Sequence, residues 1–221
     1  MIIYDNYTRK ESKRDSIIFD VDGTMWNSTD IVARAWNQVL KEENTGIQVT
    51  ASQLSRLFGK ILPDIAKGIM PEFSESEQLR IIDLCCAAEH ETLEKECAPV
   101  YTGLKETLEA LSRHYPLFIV SNCEAGYIEL FLDKTGFTPY FKDHLCPGDT
   151  GEAKAANIRS IVSRHHLKAP VYVGDTIGDY QACLDAKVPF VFASYGFGQV
   201  DTPDYVIQKP ADLLELFPSE K

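Results

Sequence analysis

Positive charge is scarce in this chain: 22 lysines and arginines stand against 33 aspartates and glutamates, for a formal net charge of −11. Nucleic acid and anionic membrane surfaces both select a basic face, so neither is expected as a partner. If the substrate is anionic, its site must supply local positive charge. Cysteine is sparse and unpatterned. The six thiols (Cys85, Cys86, Cys97, Cys123, Cys146, Cys183) form no CxxC pair and fall short of a small disulfide scaffold, which makes reduced, packing thiols the expectation. No apolar run approaches the length of a membrane span, and the opening stretch MIIYDNYTRKESKRD is too polar for a secretory signal. A cytoplasmic protein is expected. Internal repeats and low-complexity linkers are also missing.

What is present suits an ordinary globular chain, with 44% hydrophobic and 25% charged residues over 221 positions, a length near which a second small domain becomes common. Short apolar runs at Ile17 to Phe19, Leu117 to Val120, Val171 to Val173 and Pro189 to Ala193 are continuous rather than alternating. That pattern belongs to strands covered on both faces, as in a parallel sheet. Segments of helical period at 124–135, 152–167 and 179–187 alternate with them, so the fold class is α/β, a doubly wound parallel sheet with a Rossmann-like core. The gap between Phe19 and Leu117 far exceeds an ordinary crossover and predicts an insertion. Residues 28–97 carry two helical stripes, Ile31, Val32, Ala35, Trp36, Val39, Leu40 and then Leu79, Ile82, Cys86, Leu93. Ser74 with Glu77 has capping-box spacing, and Thr50 can cap a short helix. The expected division is a discontinuous core, 1–26 and 97–221, with a small helical cap domain at 27–96; residues 1–14 form an unassigned polar extension.

Three of the predicted strands end in polar residues: Asp20 and Asp22 after IIF, Ser121 and Asn122 after LFIV, Asp175 and Asp179 after VYVG. In an open parallel sheet the carboxyl ends of the strands share one edge, where the ligand crevice forms. Asp20 and Asp22, two apart in extended chain, point to one side while Val21 points away. With Asp175 they form a carboxylate cluster that would repel itself unless a divalent cation neutralised it, and all-oxygen ligands favour Mg²⁺ over Zn²⁺. Thr24, Ser121 and Asn122 are neutral donors suited to phosphate oxygens. Lys154, near the N-terminus of a predicted helix, is a cation where the dipole disfavours one, which a nearby anion would explain. Carboxylates, metal, hydroxyls and lysine together describe a phosphoryl-transfer site in which an aspartate can be the covalent nucleophile.

In order and spacing, DVDGT (20–24), SN (121–122), Lys154 and GDTIGD (174–179) resemble the four motifs of the haloacid dehalogenase-like hydrolase superfamily, and the helical insertion resembles its first-type cap, as in the phosphoglycolate phosphatase-like branch. The resemblance implies that Asp20 attacks phosphorus and that Asp22 protonates the leaving alcohol and then activates water. It implies Mg²⁺ held by Asp20, the backbone carbonyl of Asp22, and Asp175, with Asp179 in or just behind that set. Ser121 and Lys154 would hold the phosphoryl group, and the turn carrying Lys60 would sit near a substrate-selecting cap loop. The substrate would be a small phosphorylated metabolite: phosphoglycolate-like, a sugar phosphate or a nucleotide. A phosphomutase of the β-phosphoglucomutase type would use the same site, and a non-catalytic binding protein on the same fold is the remaining alternative. Oligomeric state is left open. Asn27 replaces an acid frequent in the family, Lys154 is followed by AAN instead of a KPxP loop, and Lys187 stands where glycine is frequent.

Overall fold

Ile17, Ile18 and Phe19 are almost wholly buried, and the alternation of their side chains divides the interior in two. Ile17 and Phe19 join one apolar cluster with Leu108, Ile119 and Phe131. Ile18 joins another with Phe118, Ile158, Tyr172 and Phe190 on the opposite face. The computed structural model describes residues 14–218; the polar extension through residue 13 lies outside that range. Strands Ser16–Phe19 (β1), Leu117–Val120 (β2), Phe141–Leu145 (β3), Pro170–Gly174 (β4), Phe190–Ala193 (β5) and Tyr205–Ile207 (β6) form one sheet. Its order is β3-β2-β1-β4-β5-β6, and every pairing is parallel. From β1 the chain winds outward through β2 and β3, then returns to place β4 on the other side. The winding reverses between β1 and β4, so the connections leaving their adjacent carboxyl ends diverge and open a crevice there.

The helices are Thr29–Glu42 (α1), Ala51–Leu54 (α2), Leu62–Ile69 (α3), Glu75–Lys95 (α4), Leu104–Ser112 (α5), Tyr127–Thr135 (α6), Pro147–Thr150 (α7), Lys154–Arg164 (α8), Ile177–Ala186 (α9) and Leu213–Leu216 (α10). The first four follow β1 directly and pack around an apolar cluster of their own, including Val32, Trp36, Leu40, Leu54, Ile81 and Cys85. Capping boxes close the N-termini of α2 (Thr50 with Gln53) and α4 (Ser74 with Glu77). The α1 stripe lies buried as expected. On α4 the buried face is instead Gln78, Ile81, Ile82, Cys85, Glu89 and Leu93, and Leu79 is exposed. Gln78 tolerates burial because its amide donates to the Met70 and Phe73 carbonyls at 2.8 and 3.0 Å.

Candidate active site

The tips of β1, β2 and β4 meet because their registers align: Phe19 lies opposite Ile119 on one side and Val173 on the other. Asp20 N donates to Val173 O at 2.9 Å, which continues the β1–β4 ladder and seats the Asp20 carboxylate beside the end of β4. The next residues fold into a tight loop in which Thr24, Met25 and Trp26 all donate to Val21 O. Val21 turns into the core, while Asp20 and Asp22 line a shared cleft. Gly23, at φ +78°, permits the turn; a Cβ there would lie 2.1 Å from Asp175 Oδ2.

Asp20, Asp175 and Asp179 are buried together, with carboxylate oxygens within 4.8 Å of one another. Lys154, the first residue of α8 and itself buried, is their shared cation: Nζ donates to Asp20 Oδ1 at 3.0 Å and to Asp179 Oδ1 at 2.5 Å. These two carboxylates supply the anion that offsets a lysine at a helix N-terminus. Burial opposes the charge on Lys154, but Asp179 and Asp20 more than compensate and hold it firmly protonated. Burial pushes Asp20 up to about 6 against the pull of Lys154. It raises Asp175 well above the carboxylate range, and the charges of Asp179 and Asp20 push the same way.

Asp179 is saturated. Beside Lys154 on Oδ1, its Oδ2 accepts from Asp175 N, Thr176 N and Thr176 Oγ1 at 3.2, 3.0 and 2.7 Å. Thr176 and not Asp179 is the N-cap of α9, with Asp179 as the reciprocal member of a capping box. Asp175 keeps weaker company, Thr24 Oγ1 at 3.3 Å on Oδ1 and Phe197 N at 2.7 Å on Oδ2. The loop YGFG (195–198), which follows β5, therefore supplies one of the site's donors.

Asp22 is held differently. Trp26 Nε1, Ser28 Oγ and Tyr127 OH all donate to Oδ1, at 3.0, 2.5 and 3.0 Å, and Oδ2 has no partner among the described residues. Burial pushes this carboxyl up to about 7, the three donors and the nearby Asp20 adjusting that rise. With Oδ1 occupied by donors, the proton of the neutral acid belongs on Oδ2. Trp26, Ser28 and Tyr127 escape the sequence-based reading; only the hydroxyl at position 28 in DGTMWNST hinted at such a role.

Ser121 is buried at the tip of β2 and lines the cleft. Asn122 lines it too, but does not cap α6, which opens at Gly126; its Nδ2 donates to Gly59 O at 2.8 Å, tying the helical insertion to the sheet edge. Gly59 lines the cleft, whereas Lys60, expected to touch substrate, is solvent-exposed and outside the lining. The cleft, roughly 560 Å³ with its open mouth, runs from Asp20 and Asp22 to the insertion, where Trp36, Phe58, Glu89 and His90 form its far wall. Glu89 is pushed up to about 8 by burial, with the charge of Asp22 adding to the effect.

The donor set suits a hard divalent cation. Three buried carboxylates lie together with one lysine, which pairs with two of them, and the ligating atoms are all oxygen. Asp20 and Asp175 retain ligating capacity, while both oxygens of Asp179 are already engaged. All six cysteines are unbridged, and no helix among the described residues is long and apolar enough to cross a membrane.

The model of the family described as "Haloacid dehalogenase-like hydrolase" matches residues 17–193. Among curated proteins, the phosphoglycolate phosphatases of Photobacterium profundum and Aquifex aeolicus are each 28% identical to this chain, covering 90% of it and 94% and 95% of their own lengths. Among solved structures, a protein described as a predicted phosphoglycolate phosphatase from Haemophilus somnus superposes with a TM-score of 0.83 at 23% identity, covering 93% of this chain and 99% of its own. A haloacid dehalogenase-like family protein from Streptococcus pneumoniae gives 0.82 at 20% identity, with coverages of 92% and 98%. These likenesses support the α/β architecture derived above from strand order and register.

Proposed function

The chain belongs to the haloacid dehalogenase-like hydrolase family and is a phosphoric monoester hydrolase; we propose that it hydrolyses a small phosphomonoester by way of an aspartyl-phosphate on Asp20, with Mg²⁺ as cofactor. The carrying observation is the cluster of three buried carboxylates, two of them paired with Lys154. Asp20 and Asp175 would hold the cation, which when bound offsets negative charge on the carboxylates and the phosphate. Asp179 acts from behind, fixing Lys154 and the backbone of Asp175.

Asp20 attacks phosphorus, the bond from phosphorus to the ester oxygen breaks, and the departing alcohol takes the proton from Asp22 Oδ2. Water then attacks the aspartyl-phosphate, giving its proton to Asp22 and releasing orthophosphate. Trp26, Ser28 and Tyr127 hold Asp22 in place, and its elevated proton affinity suits it to both halves of the cycle. Lys154, Ser121 and Thr24 bind and orient the phosphoryl oxygens. Residues 27–96 act as a cap over a core formed by the segments on either side, 14–26 and 97–218 among the described residues, with the cleft between them. Unbridged thiols and an acidic chain fit a cytoplasmic enzyme of small metabolites.

The test is a phosphate-ester panel of glycolate, sugar and nucleotide esters, assayed on metal-stripped protein with and without Mg²⁺. Orthophosphate release that requires the cation is expected. Asp20→Asn should lower kcat by at least about 10³-fold while keeping the wild-type circular dichroism. Metal-independent release, or full activity in that variant, refutes the mechanism. A sugar phosphate returned as its isomer identifies a mutase instead.

A further inference from the structure

Glu89 sits in the wall of the cleft opposite Asp22, where no cation among the described residues offsets the charge it would carry as a carboxylate. It is 9% exposed, and Trp36 Nε1 donates to its Oε2 at 2.8 Å. Among the described residues, no other hydrogen bond reaches the carboxyl and no cation pairs with it. Buried acids are seldom left so. A glutamine would satisfy the indole equally well. A second acceptor on the same cleft is also unmet: Asn122 Oδ1 is buried without a partner, and its amide cannot turn over because Nδ2 is committed to Gly59 O. His90 Nε2 is likewise buried and unpartnered. Between these polar atoms the wall is aromatic, formed by Trp36, Phe58 and Tyr127. Glu124 adds another acid to the lining, and neither lysine nor arginine contributes to it.

Asn122 Oδ1 calls for a hydrogen-bond donor from any ligand filling this space, and a cationic donor suits it best, because a positive charge beside Glu89 favours the carboxylate that then accepts from it. Unmet acceptors, a carboxylate and aromatic faces together recognise an ammonium group, which offers three donors and interacts with ring faces. A carboxylate in the same position would face Glu89 and Glu124 with no cation to receive it. We propose that this cleft is the leaving-group pocket and that it selects phosphomonoesters of amino alcohols, Glu89 and Asn122 Oδ1 accepting from the substrate's ammonium, and that it disfavours carboxylate-bearing esters. The proposal rests on the phosphatase reading above, and it departs from the substrate named for the relatives. Glu89 thereby becomes the specificity-determining residue of this chain.

Two-carbon esters of matched size separate the alternatives. The purified enzyme with Mg²⁺ is assayed on O-phosphoethanolamine, ethyl phosphate and phosphoglycolate, with p-nitrophenyl phosphate as a general reporter. Wild type is expected to favour the ammonium ester over the carboxylate ester by at least about tenfold in kcat/KM. In Glu89→Gln, which retains the acceptor for Trp36, the ratio of ammonium to neutral ester should fall about tenfold and the ratio of carboxylate to neutral ester should rise. Phosphoglycolate hydrolysed as well as phosphoethanolamine by wild type overturns the proposal without any variant. So does a Glu89→Gln enzyme that keeps the wild-type ratios. If the p-nitrophenyl ester and the rest of the panel all go unhydrolysed, the phosphatase reading itself fails and this proposal falls with it; release without the preference removes this proposal alone.

Discussion

Asp22 places three donors on one oxygen and leaves the other free, and the consequence is readable in pH. Its proton affinity rises from an ordinary 3.8 to about 7, chiefly through burial. For an acid shifted upward, the folded chain binds more protons than the unfolded one between those two values. Stability therefore falls as pH climbs through that window, and the full cost stands above about pH 7. Asp22→Asn keeps an acceptor for Trp26, Ser28 and Tyr127 and removes the ionisation. In EDTA, urea denaturation should show this variant gaining on wild type as pH rises, by about 1–2 kcal/mol between pH 5 and 8 once water in the cleft is allowed for. Its kcat should drop about 10²–10⁴-fold, because the leaving alcohol has lost its proton donor. A constant stability difference across that range would deny the buried ionisation. In wild type, where ester cleavage limits turnover, kcat should decline above pH 7 as Asp22 loses its proton. That Asp20, Asp22, Ser121, Asp175 and Lys154 would gather at one sheet edge was legible because strand ends and motif order mark them. Tyr127 was not: it meets Asp22 across 105 positions, and such a pairing leaves no local signature.

Helix α9 ends on Lys187 at φ +59°, in the left-handed region, with Val188 N donating to Cys183 O at 3.0 Å to close the turn. The lysine is exposed, so its side chain contributes no packing that glycine would forfeit. Lys187→Gly relieves the Cβ strain and should raise stability by about 0.5–1 kcal/mol, less than the full strain because glycine also frees the unfolded chain. Thermal unfolding should register this as a rise of a few degrees with kcat unchanged; a fall would show that the left-handed turn carries no cost here. Physics at the same level explains which elements the sequence revealed. β1, β2, β4 and β5 are buried on both faces and read as unbroken apolar runs. The edge strands went unseen, since β3 spells FKDHL, half open to solvent, and β6 is only three residues long. The α4 stripe was misplaced because Gln78 and Glu89 occupy its buried positions, and a pattern of apolar residues alone shifts the face toward Leu79. One of these two, Glu89, also lines the cleft, where no cation of the chain pairs with it among the described residues.

Helical insertion and sheet share the packing of Ile31 and Leu93 into the cluster beside β1 and of His90 on Tyr127. Only one of their contacts among the described residues, the turn at Gly59, also reaches the loop that orients Asp175, and the coupling can be tested there. Gly59 stands at φ +86°, its carbonyl accepts from Asn122 Nδ2 at 2.8 Å, and a Cβ on it would fall 2.8 Å from Thr176 Cγ2. Phe58 beside it meets Phe197, the loop residue whose N–H holds Asp175, edge to face with centroids 6.1 Å apart. The insertion thus rests on Thr176 and on the loop that orients the carboxylate cluster. Gly59→Ala cannot keep this contact: the turn must withdraw from Thr176, which widens the cleft and loosens Phe197 against Asp175. Substrate capture should suffer most, with KM rising about 5–10-fold and kcat falling less, since closure over the substrate is what the contact supports. Backbone strain alone would also lower stability, by about 1–2 kcal/mol, and must be separated from loss of coupling. Gly46 provides the control, for it too is left-handed, at φ +72°, lies in the same insertion, and a Cβ added to it would meet nothing within 4 Å. Gly46→Ala should cost similar stability in urea while leaving KM within about twofold of wild type. Equal changes in KM for the two variants would mean that strain in the insertion, and not its seat on Thr176, governs binding.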